Sequence, residues 1–222
     1  DAFMYLVNAI YFNGKWRYQF DPEETIEKNF FLEGGEIHQA DFMRINGGFN
    51  YTSHDKFTAV ELPYGDSTFS MVLMLPGSNV TVGELVTEMD AAAWESWFTG
   101  SAMTNVQVEL PKFTFGFKEL LNEPLTDLGL GEAFGPCANF SKIRPENDLF
   151  ISRVIHQSFI DVQEEGTEAA AATIVEMSFT SIDDPIPVMF IADRPFLFVI
   201  RENSTGVIAF MGKVGKPEYS KQ

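Results

Sequence analysis

The sequence has one cysteine, few basic residues and no long apolar run. Cys137 has no second cysteine with which to form a disulfide bond within the chain. The 15 Lys and Arg residues face 32 Asp and Glu residues, so the formal net charge is −17. A chain this acidic lacks the cationic clusters that bind nucleic-acid phosphates or anionic membranes, and its apolar runs are too short for a membrane-spanning helix. We therefore expect neither nucleic acid nor a membrane as a partner.

Motifs of catalysis and metal binding are missing as well. Residues 65–69 lack the second glycine of a nucleophile elbow, and residues 129–131 lack the third glycine of a dinucleotide site. His38, His54 and His156 lie far apart in the sequence, and no group of His and Cys residues has the spacing of metal ligands. We expect no enzyme activity, no metal ion and no cofactor.

Apolar residues are plentiful, since hydrophobic residues make up 45% of the chain and 22 of them are Phe. This content supports a substantial folded core. Apolar segments bounded by glycine and proline predict mostly strands. The predicted strands cover residues 1–12, 30–32, 37–43, 49–52, 58–63, 69–75, 106–110, 113–117, 151–161, 196–200 and 207–211. Turns are expected at residues 13–16, at Gly34 and Gly35, at Gly47 and Gly48, and at Gly65 and Asp66.

Two segments have helical periodicity. Residues 81–98 carry an apolar stripe with a break near Asp90. Residues 120–134 are expected to turn Leu121, Leu125 and Leu128 inward. Strands dominate and helices are few, so the predicted class is α+β with more than one, mainly antiparallel, sheet.

Two polar residues stand in the middle of apolar strands. Asn8 lies in the first predicted strand, and His156 lies in the strand of residues 151–161. A buried amide or imidazole needs hydrogen-bond partners. We expect both to be core residues, and each is a candidate partner for the other.

The most unusual stretch is the small-residue segment, residues 163–173. After Gln163 it contains two glutamates and Gly166, and alanines occupy positions 169–172. Alanine favours helix, but the segment follows a predicted strand and precedes residues punctuated by proline. The residues alone leave two interpretations open, a hinge and an alanine-rich connector or single helical turn.

Four stretches resemble the serpin family of protease inhibitors. They are residues 6–16 (LVNAIYFNGKW), 164–173 (EEGTEAAAAT), 192–198 (ADRPFLF) and 210–214 (FMGKV), and they occur in the family's order and spacing. The resemblance covers the whole chain. It implies a serpin fold with several mainly antiparallel β-sheets, several helices and a mobile reactive loop at about residues 164–192, within a single domain that spans residues 1–222.

The resemblance also implies that the chain starts inside a strand of the main sheet. The N-terminal portion of the same serpin is then expected to be missing from this chain and to be its partner in the complete fold. An extracellular, secreted or cell-envelope location is expected from the same resemblance.

In an inhibitory serpin the target protease attacks the reactive loop and forms an acyl-enzyme, and the cleaved loop inserts into the main sheet. The resemblance therefore implies a suicide inhibitor of serine endopeptidases, with cysteine endopeptidases as a further target class. Two alternatives stay open at this point. One is a non-inhibitory serpin that acts as a ligand carrier or chaperone, and the other is an unrelated acidic, strand-rich binding module.

The hinge at which insertion starts corresponds to Glu164, Gly166, Thr167, Glu168, Ala169, Ala170, Ala171, Ala172 and Thr173. An inserted strand alternates its side chains between two faces. With Thr167 inward, the inward side chains are Thr167, Ala169, Ala171, Thr173 and Val175, all of them uncharged and small or β-branched. Glu168 and Glu176 then face outward, and no proline interrupts residues 166–181. This composition favours an inhibitor.

The family's register places the reactive bond between Thr180 and Ser181, with the bond between Phe179 and Thr180 as the alternative. Cleavage after Thr180 suits an elastase- or subtilisin-like protease, and cleavage after Phe179 suits a chymotrypsin-like one. No Lys or Arg occurs between Arg153 and Arg194, so a trypsin-like target is not expected.

Four residues match the region where the main sheet of a serpin opens. Asn8 and His156 correspond to the pair that bridges two strands of that sheet. Trp16 and Lys112 belong to the cluster where insertion begins. We expect Lys112 to form an ion pair with Glu164 that guards against premature insertion.

Overall fold

The computed structural model describes residues 3–167 and 186–220, without the side chain of Phe3. Strands predominate in these residues, and the helices are few and short, which confirms the α+β class. The strands are β1 (Phe3–Tyr11), β2 (Gly14–Lys15), β3 (Ile26–Phe31), β4 (Ile37–Ser53), β5 (Phe57–Pro63), β6 (Phe69–Pro76), β7 (Ala102–Pro111), β8 (Phe113–Leu120), β9 (Phe150–Gln163), β10 (Gly166–Thr167), β11 (Val188–Ile191), β12 (Phe196–Glu202) and β13 (Ile208–Val214). The helices are α1 (Val82–Glu88), α2 (Ala91–Trp97) and α3 (Asn122–Leu125), with short helical turns at Pro22–Glu24, Thr126–Leu130 and Gly131–Phe134.

The chain divides into two compact units. The first contains Asp1–Phe12 and Phe115–Ile160, and the second contains Asn13–Thr114 and Asp161–Gln222. In the first unit β1 pairs with β9 in parallel, in a register that ends with Tyr11 opposite Phe159.

The side chains of β1 are largely exposed, with Tyr5 at 55% and Val7 at 66% of their full accessibility. Asn8 is exposed as well. Pairing with β9 supplies hydrogen bonds to one edge of β1, but it leaves these side chains uncovered.

The predicted helix at residues 120–134 is shorter than expected and breaks into turns. α3 ends at Leu125, and Gly129 has a positive φ of 95° that redirects the chain. Leu121 and Leu125 are half-buried, but Leu128 is 80% exposed. The prediction that Leu128 points inward is wrong because a single 3.6-residue period does not continue past Leu125.

The second unit contains an eight-stranded sheet in the order β11-β7-β4-β5-β6-β12-β13, with β3 paired to β4. β11 and β7 are parallel, and the other neighbours are antiparallel. β4 runs through Gly47 and Gly48, so the turn predicted there is wrong. The two glycines pair with Val106 and Asn105 of β7, which gives β4 a continuous partner on that edge.

Helices α1 and α2 cover one face of this sheet. Thr81 and Asp90 cap their N-termini through side-chain hydrogen bonds, which confirms the predicted break near Asp90. Val82, Leu85 and Trp97 are buried against apolar residues of β5, β6 and β12. This packing forms one hydrophobic core cluster of the second unit.

The end of β9 lies in the second unit, where β10 pairs antiparallel with β9 and with β2. Gly166 is opposite Gln163 on one side and Lys15 on the other. The turn predicted at residues 13–16 is therefore wrong for Gly14 and Lys15, which form a short strand because β10 supplies their partner.

Candidate functional site

The structure brings together five of the residues predicted from the sequence. Trp16, Lys112, Glu164, Gly166 and Thr167 surround the turn between β9 and β10. We call this group the hinge site. All five residues belong to the second unit.

Glu164 is buried and makes two contacts through its carboxylate. Lys112 Nζ lies 2.9 Å from Glu164 Oε2, and Thr25 Oγ1 donates a hydrogen bond of 2.8 Å to Oε1. Glu164 is only 8% exposed, so the ion pair predicted from the sequence forms away from bulk water. A pair this buried is strongly destabilising to break, because the remaining charge stays desolvated.

The electrostatics of the hinge site favour the ionised form of Glu164. Burial opposes the negative charge, but the hydrogen bonds from Lys112, the Glu164 amide and Thr25 outweigh it, so the pKa of the carboxyl is lowered. A carboxyl with a lowered folded-state pKa contributes stability above its unfolded pKa of about 4.3, and loses that contribution as the pH falls through the folded pKa.

This shift predicts a pH-dependent effect of Glu164→Gln. At about pH 7 the variant should lower the denaturation midpoint of the full-length protein, because Lys112 loses its charged partner. The difference from wild type should begin to shrink as the pH falls below about 4.3, the unfolded pKa, and should vanish once the pH lies below the lowered folded pKa of Glu164. Midpoints measured from about pH 7 to about pH 3 check this, and a difference independent of pH would contradict it.

Trp16 ties β2 to the turn that follows β9. Its indole Nε1 donates to the Gln163 carbonyl at 2.9 Å, and its backbone N donates to the Glu165 carbonyl at 3.0 Å. The ring stacks on Tyr64 with centroids 4.3 Å apart and an interplanar angle of 14°. Trp16 is 3% exposed. These contacts hold the two sides of the hinge site together.

Gly166 occupies a position that leaves no room for a side chain. Its φ is +148°, which L-residues rarely adopt, and an added Cβ would lie 2.3 Å from the Gly14 carbonyl oxygen and 2.6 Å from Lys15 Cα. Glycine is required here both for its backbone conformation and for the close approach of β2.

Thr167 points into the protein, as the alternation in the sequence predicted for this residue. It is fully buried, and its Oγ1 lies 2.8 Å from Tyr64 Oη. Burial raises the pKa of the Tyr64 phenol, with the bond to Thr167 acting in the opposite direction. The pocket that receives Thr167 accepts a small polar side chain.

Sequence reasoning missed several contributors to the hinge site. Thr25 is 139 residues from Glu164 along the chain, and Tyr64 is 103 residues from Thr167. Gln163 and Tyr219 join them through a 2.8 Å hydrogen bond from Tyr219 Oη to Gln163 Oε1. No motif marks Thr25, Tyr64 or Tyr219, because only tertiary packing brings them to the hinge site.

A buried carboxylate also anchors the strand where the chain returns from the predicted reactive loop. Glu109 is 2% exposed and accepts hydrogen bonds from Lys28, Arg44 and Gln107. Burial opposes its charge, but Lys28 and Arg44 lower the pKa of Glu109. Its backbone carbonyl accepts from Ala192 N at 2.9 Å, next to β11. The predicted loop range of 164–192 thus has paired backbone at both ends.

Asn8 and His156 lie in the first unit. The parallel register of β1 and β9 places Asn8 directly opposite His156, as expected if the two residues are partners. His156 is half-buried, with its ring centroid 6.3 Å from that of Phe117. The prediction that Asn8 is buried is wrong for the described residues, since this side chain is exposed.

The remaining predicted site residues lie outside the described part of the chain. They are Glu168, Ala169, Ala170, Ala171, Ala172, Thr173, Phe179, Thr180 and Ser181. Within residues 3–167 and 186–220, no group of three or more His, Cys, Asp and Glu side chains is arranged to hold a metal ion. No helix in these ranges is both long and apolar enough to cross a membrane.

Comparisons with known proteins agree on one family. The family model described as Serpin (serine protease inhibitor) matches residues 1–217. Among solved structures, the thermophilic serpin tengpin in its native state superposes with a TM-score of 0.83 at 30% identity, covering 96% of this chain and 55% of that one.

Curated relatives give the same result. An uncharacterized serpin-like protein of Methanosarcina acetivorans is 43% identical over 224 residues, which cover 100% of this chain and 52% of the relative. A serine protease inhibitor of Cyanea capillata is 37% identical, covering 96% of this chain and 56% of the relative. The chain thus spans about half the length of the curated relatives it matches.

Proposed function

The chain belongs to the serpin family, and we propose that the full-length protein is a suicide inhibitor of serine endopeptidases. The catalytic serine of the protease attacks the Thr180 carbonyl, and the peptide bond to Ser181 breaks. An ester then links Thr180 to the protease, and Ser181 keeps the new amino group. Loop insertion into the main sheet traps this ester before water hydrolyses it. The chain itself has no catalytic role in the cleavage.

The observation that carries the proposal is the pairing of β10. Gly166 and Thr167 form ladder pairs with Gln163 and Val162 of β9 in antiparallel register. A strand that continued along β9 from this point would be the inserted strand that the mechanism needs. The hinge residues therefore start from a backbone that is already paired to the sheet.

The register of β10 defines how insertion would proceed. Continued pairing sets residue 168 opposite Asp161 and residue 169 opposite Ile160 of β9. Residue 170 would then take the position opposite Phe159, which Tyr11 of β1 occupies. If the inserted strand takes the edge of β9 to which β1 is paired, further insertion requires β1 to separate from β9, beginning with the stacked rings of Tyr11 and Phe159, whose centroids are 6.2 Å apart.

Backbone hydrogen bonds supply a driving force of the required size. About a dozen inserted residues, at about 0.5–1.5 kcal/mol for each net hydrogen bond, contribute on the order of 10 kcal/mol. This is comparable with the stability of a whole domain. The uninserted protein would then be a kinetically trapped state.

The inward residues of the hinge fit such a strand. Thr167 is buried against Tyr64, and the next inward positions, 169 and 171, hold alanine. A non-inhibitory serpin would tolerate a bulky or charged residue at these positions. The uncharged inward set therefore favours an inhibitor over a ligand carrier or chaperone.

The residues near the proposed reactive bond limit the classes of protease that the protein could inhibit. Phe179 and Thr180 suit chymotrypsin-, elastase- or subtilisin-like pockets, and no Lys or Arg lies between Arg153 and Arg194. We therefore expect full-length protein to form a complex that survives boiling in detergent with at least one of these three proteases. Trypsin, as a control, should form none.

The cleavage point is read from the N-terminus of the released C-terminal fragment, which should begin at Ser181. A fragment that begins at Thr180 would select the alternative bond. Cleavage without a covalent complex would contradict inhibition and favour the non-inhibitory alternative. Cleavage without a gain in thermal stability would exclude loop insertion.

A further inference from the structure

The segment that follows β13 reaches the hinge site and contributes an aromatic side chain to it. Pro217 is buried, with its carbonyl oxygen 2.7 Å from His38 Nε2. The Glu218 carbonyl accepts a hydrogen bond of 2.8 Å from Thr114 N. These two contacts fix residues 217 and 218 against β4 and β8. They set the backbone position from which Tyr219 extends.

Tyr219 contacts both Lys112 and Gln163. Its ring centroid lies 4.3 Å from Lys112 Nζ, which is a cation–π distance, and its hydroxyl donates to Gln163 Oε1 at 2.8 Å. Burial, together with the charges of Asp161 and Glu164, raises the pKa of Tyr219 to about 12. The phenol is therefore a neutral hydrogen-bond donor at physiological pH.

The two residues that Tyr219 holds are the ones on which the hinge site depends. Lys112 is the ion-pair partner of Glu164, and the Gln163 carbonyl accepts the Trp16 indole N–H. Gln163 is also the ladder partner of Gly166. A single side chain thus restrains the end of β9 and orients the ammonium group that binds Glu164.

We infer that Tyr219 is a positioning residue that slows loop insertion by holding the end of β9 in the uninserted arrangement. This inference rests on the proposed inhibitory function. Insertion requires the sheet to open beside β9, and Tyr219 ties that strand end to the junction of β7 and β8 through Lys112. Removal of the ring releases Gln163 and Lys112 at the same time.

The test measures how fast full-length protein takes up a synthetic peptide with the sequence of residues 167–180. Such a peptide occupies the place of the inserted strand without any protease. Tyr219→Leu loses both contacts, and we expect uptake about tenfold faster than in wild type. Tyr219→Phe keeps the ring over Lys112 and should show a smaller increase. Tyr51→Leu, which removes a half-buried tyrosine of β4 outside the hinge site, should match wild type.

A second measurement distinguishes a positioning role of Tyr219 from a general contribution of this residue to stability. Tyr219→Leu should lower the thermal midpoint of the native protein and leave that of the loop-cleaved, inserted form unchanged. Equal losses in both forms, or peptide uptake at the wild-type rate, would overturn the role of Tyr219 and leave the proposed function standing. Failure of the wild-type protein to take up the peptide, or to gain stability on loop cleavage, would overturn the proposed function and this role with it.

Discussion

Gly166→Ala should destabilise the native protein by about 3 kcal/mol or more, or prevent it from folding. The new Cβ would lie 2.3 Å from the Gly14 carbonyl oxygen and 2.6 Å from Lys15 Cα. Both atoms belong to backbone, which cannot move aside as a flexible side chain can. The clash therefore separates β10 from β2, where the proposed loop insertion would start. Denaturant midpoints and yields of the full-length protein measure the effect.

Gly35→Ala is the matched control for this substitution. Gly35 also has a positive φ, +82°, but an added Cβ would meet no atom within 4 Å. This variant therefore carries backbone strain without a clash, and we expect a loss of about 1 kcal/mol. Equal losses at Gly35 and Gly166 would show that conformation alone, rather than the close approach of β2, requires glycine at position 166.

Glu164→Lys should cost the native protein about 3–5 kcal/mol and accelerate its polymerisation. The substitution puts a second ammonium group beside Lys112 in a site where Glu164 is only 8% exposed. Thr25 also loses its carboxylate acceptor. Yield and the rate of polymer formation on mild heating report the effect in full-length protein. If neither changes, Glu164 does not guard against premature insertion.

Two further variants distinguish the loss of the buried ion pair from a general effect of charge reversal. Adding Lys112→Glu to Glu164→Lys restores an attractive pair in reversed order, and most of the lost stability should return. Glu33→Lys reverses the charge of the exposed partner of Lys213, whose contact distance is 2.7 Å. An exposed pair contributes about 0–1 kcal/mol, so this control should leave yield and polymerisation almost unchanged.

The sequence predicted the pieces of the hinge site that are encoded locally. The inward set of side chains expected for an inserted strand begins at Thr167, and the structure buries that side chain. The resemblance to the serpin family paired Lys112 with Glu164 across 52 positions, and the two side chains meet at 2.9 Å. Local pattern and family resemblance were therefore enough for these residues.

The predictions from sequence were wrong where the local backbone conformation depends on strands that are distant in the sequence. Gly47 and Gly48 have the composition of a turn, but the long partner strand β7 keeps them extended. Gly14 and Lys15 pair only because β10 lies beside them. Tyr64 and Thr25 carry no local pattern that relates them to residues more than a hundred positions later.

The two-residue strand β10 makes loop insertion comparable to toehold-mediated strand displacement in nucleic acids. β10 is the toehold, and β1 is the incumbent strand that it would replace on β9. In the proposed insertion, each residue beyond position 169 takes the place of one residue of β1 on β9, and that residue of β1 pairs with the other edge of the inserted strand. Hydrogen bonds are then exchanged one at a time rather than broken together, and the inserted strand adds a net ladder. In this register residue 173, the last of the predicted hinge, arrives opposite His156. Separation of Asn8 from His156 would therefore mark the end of hinge entry, after which the rest of β1 is displaced residue by residue.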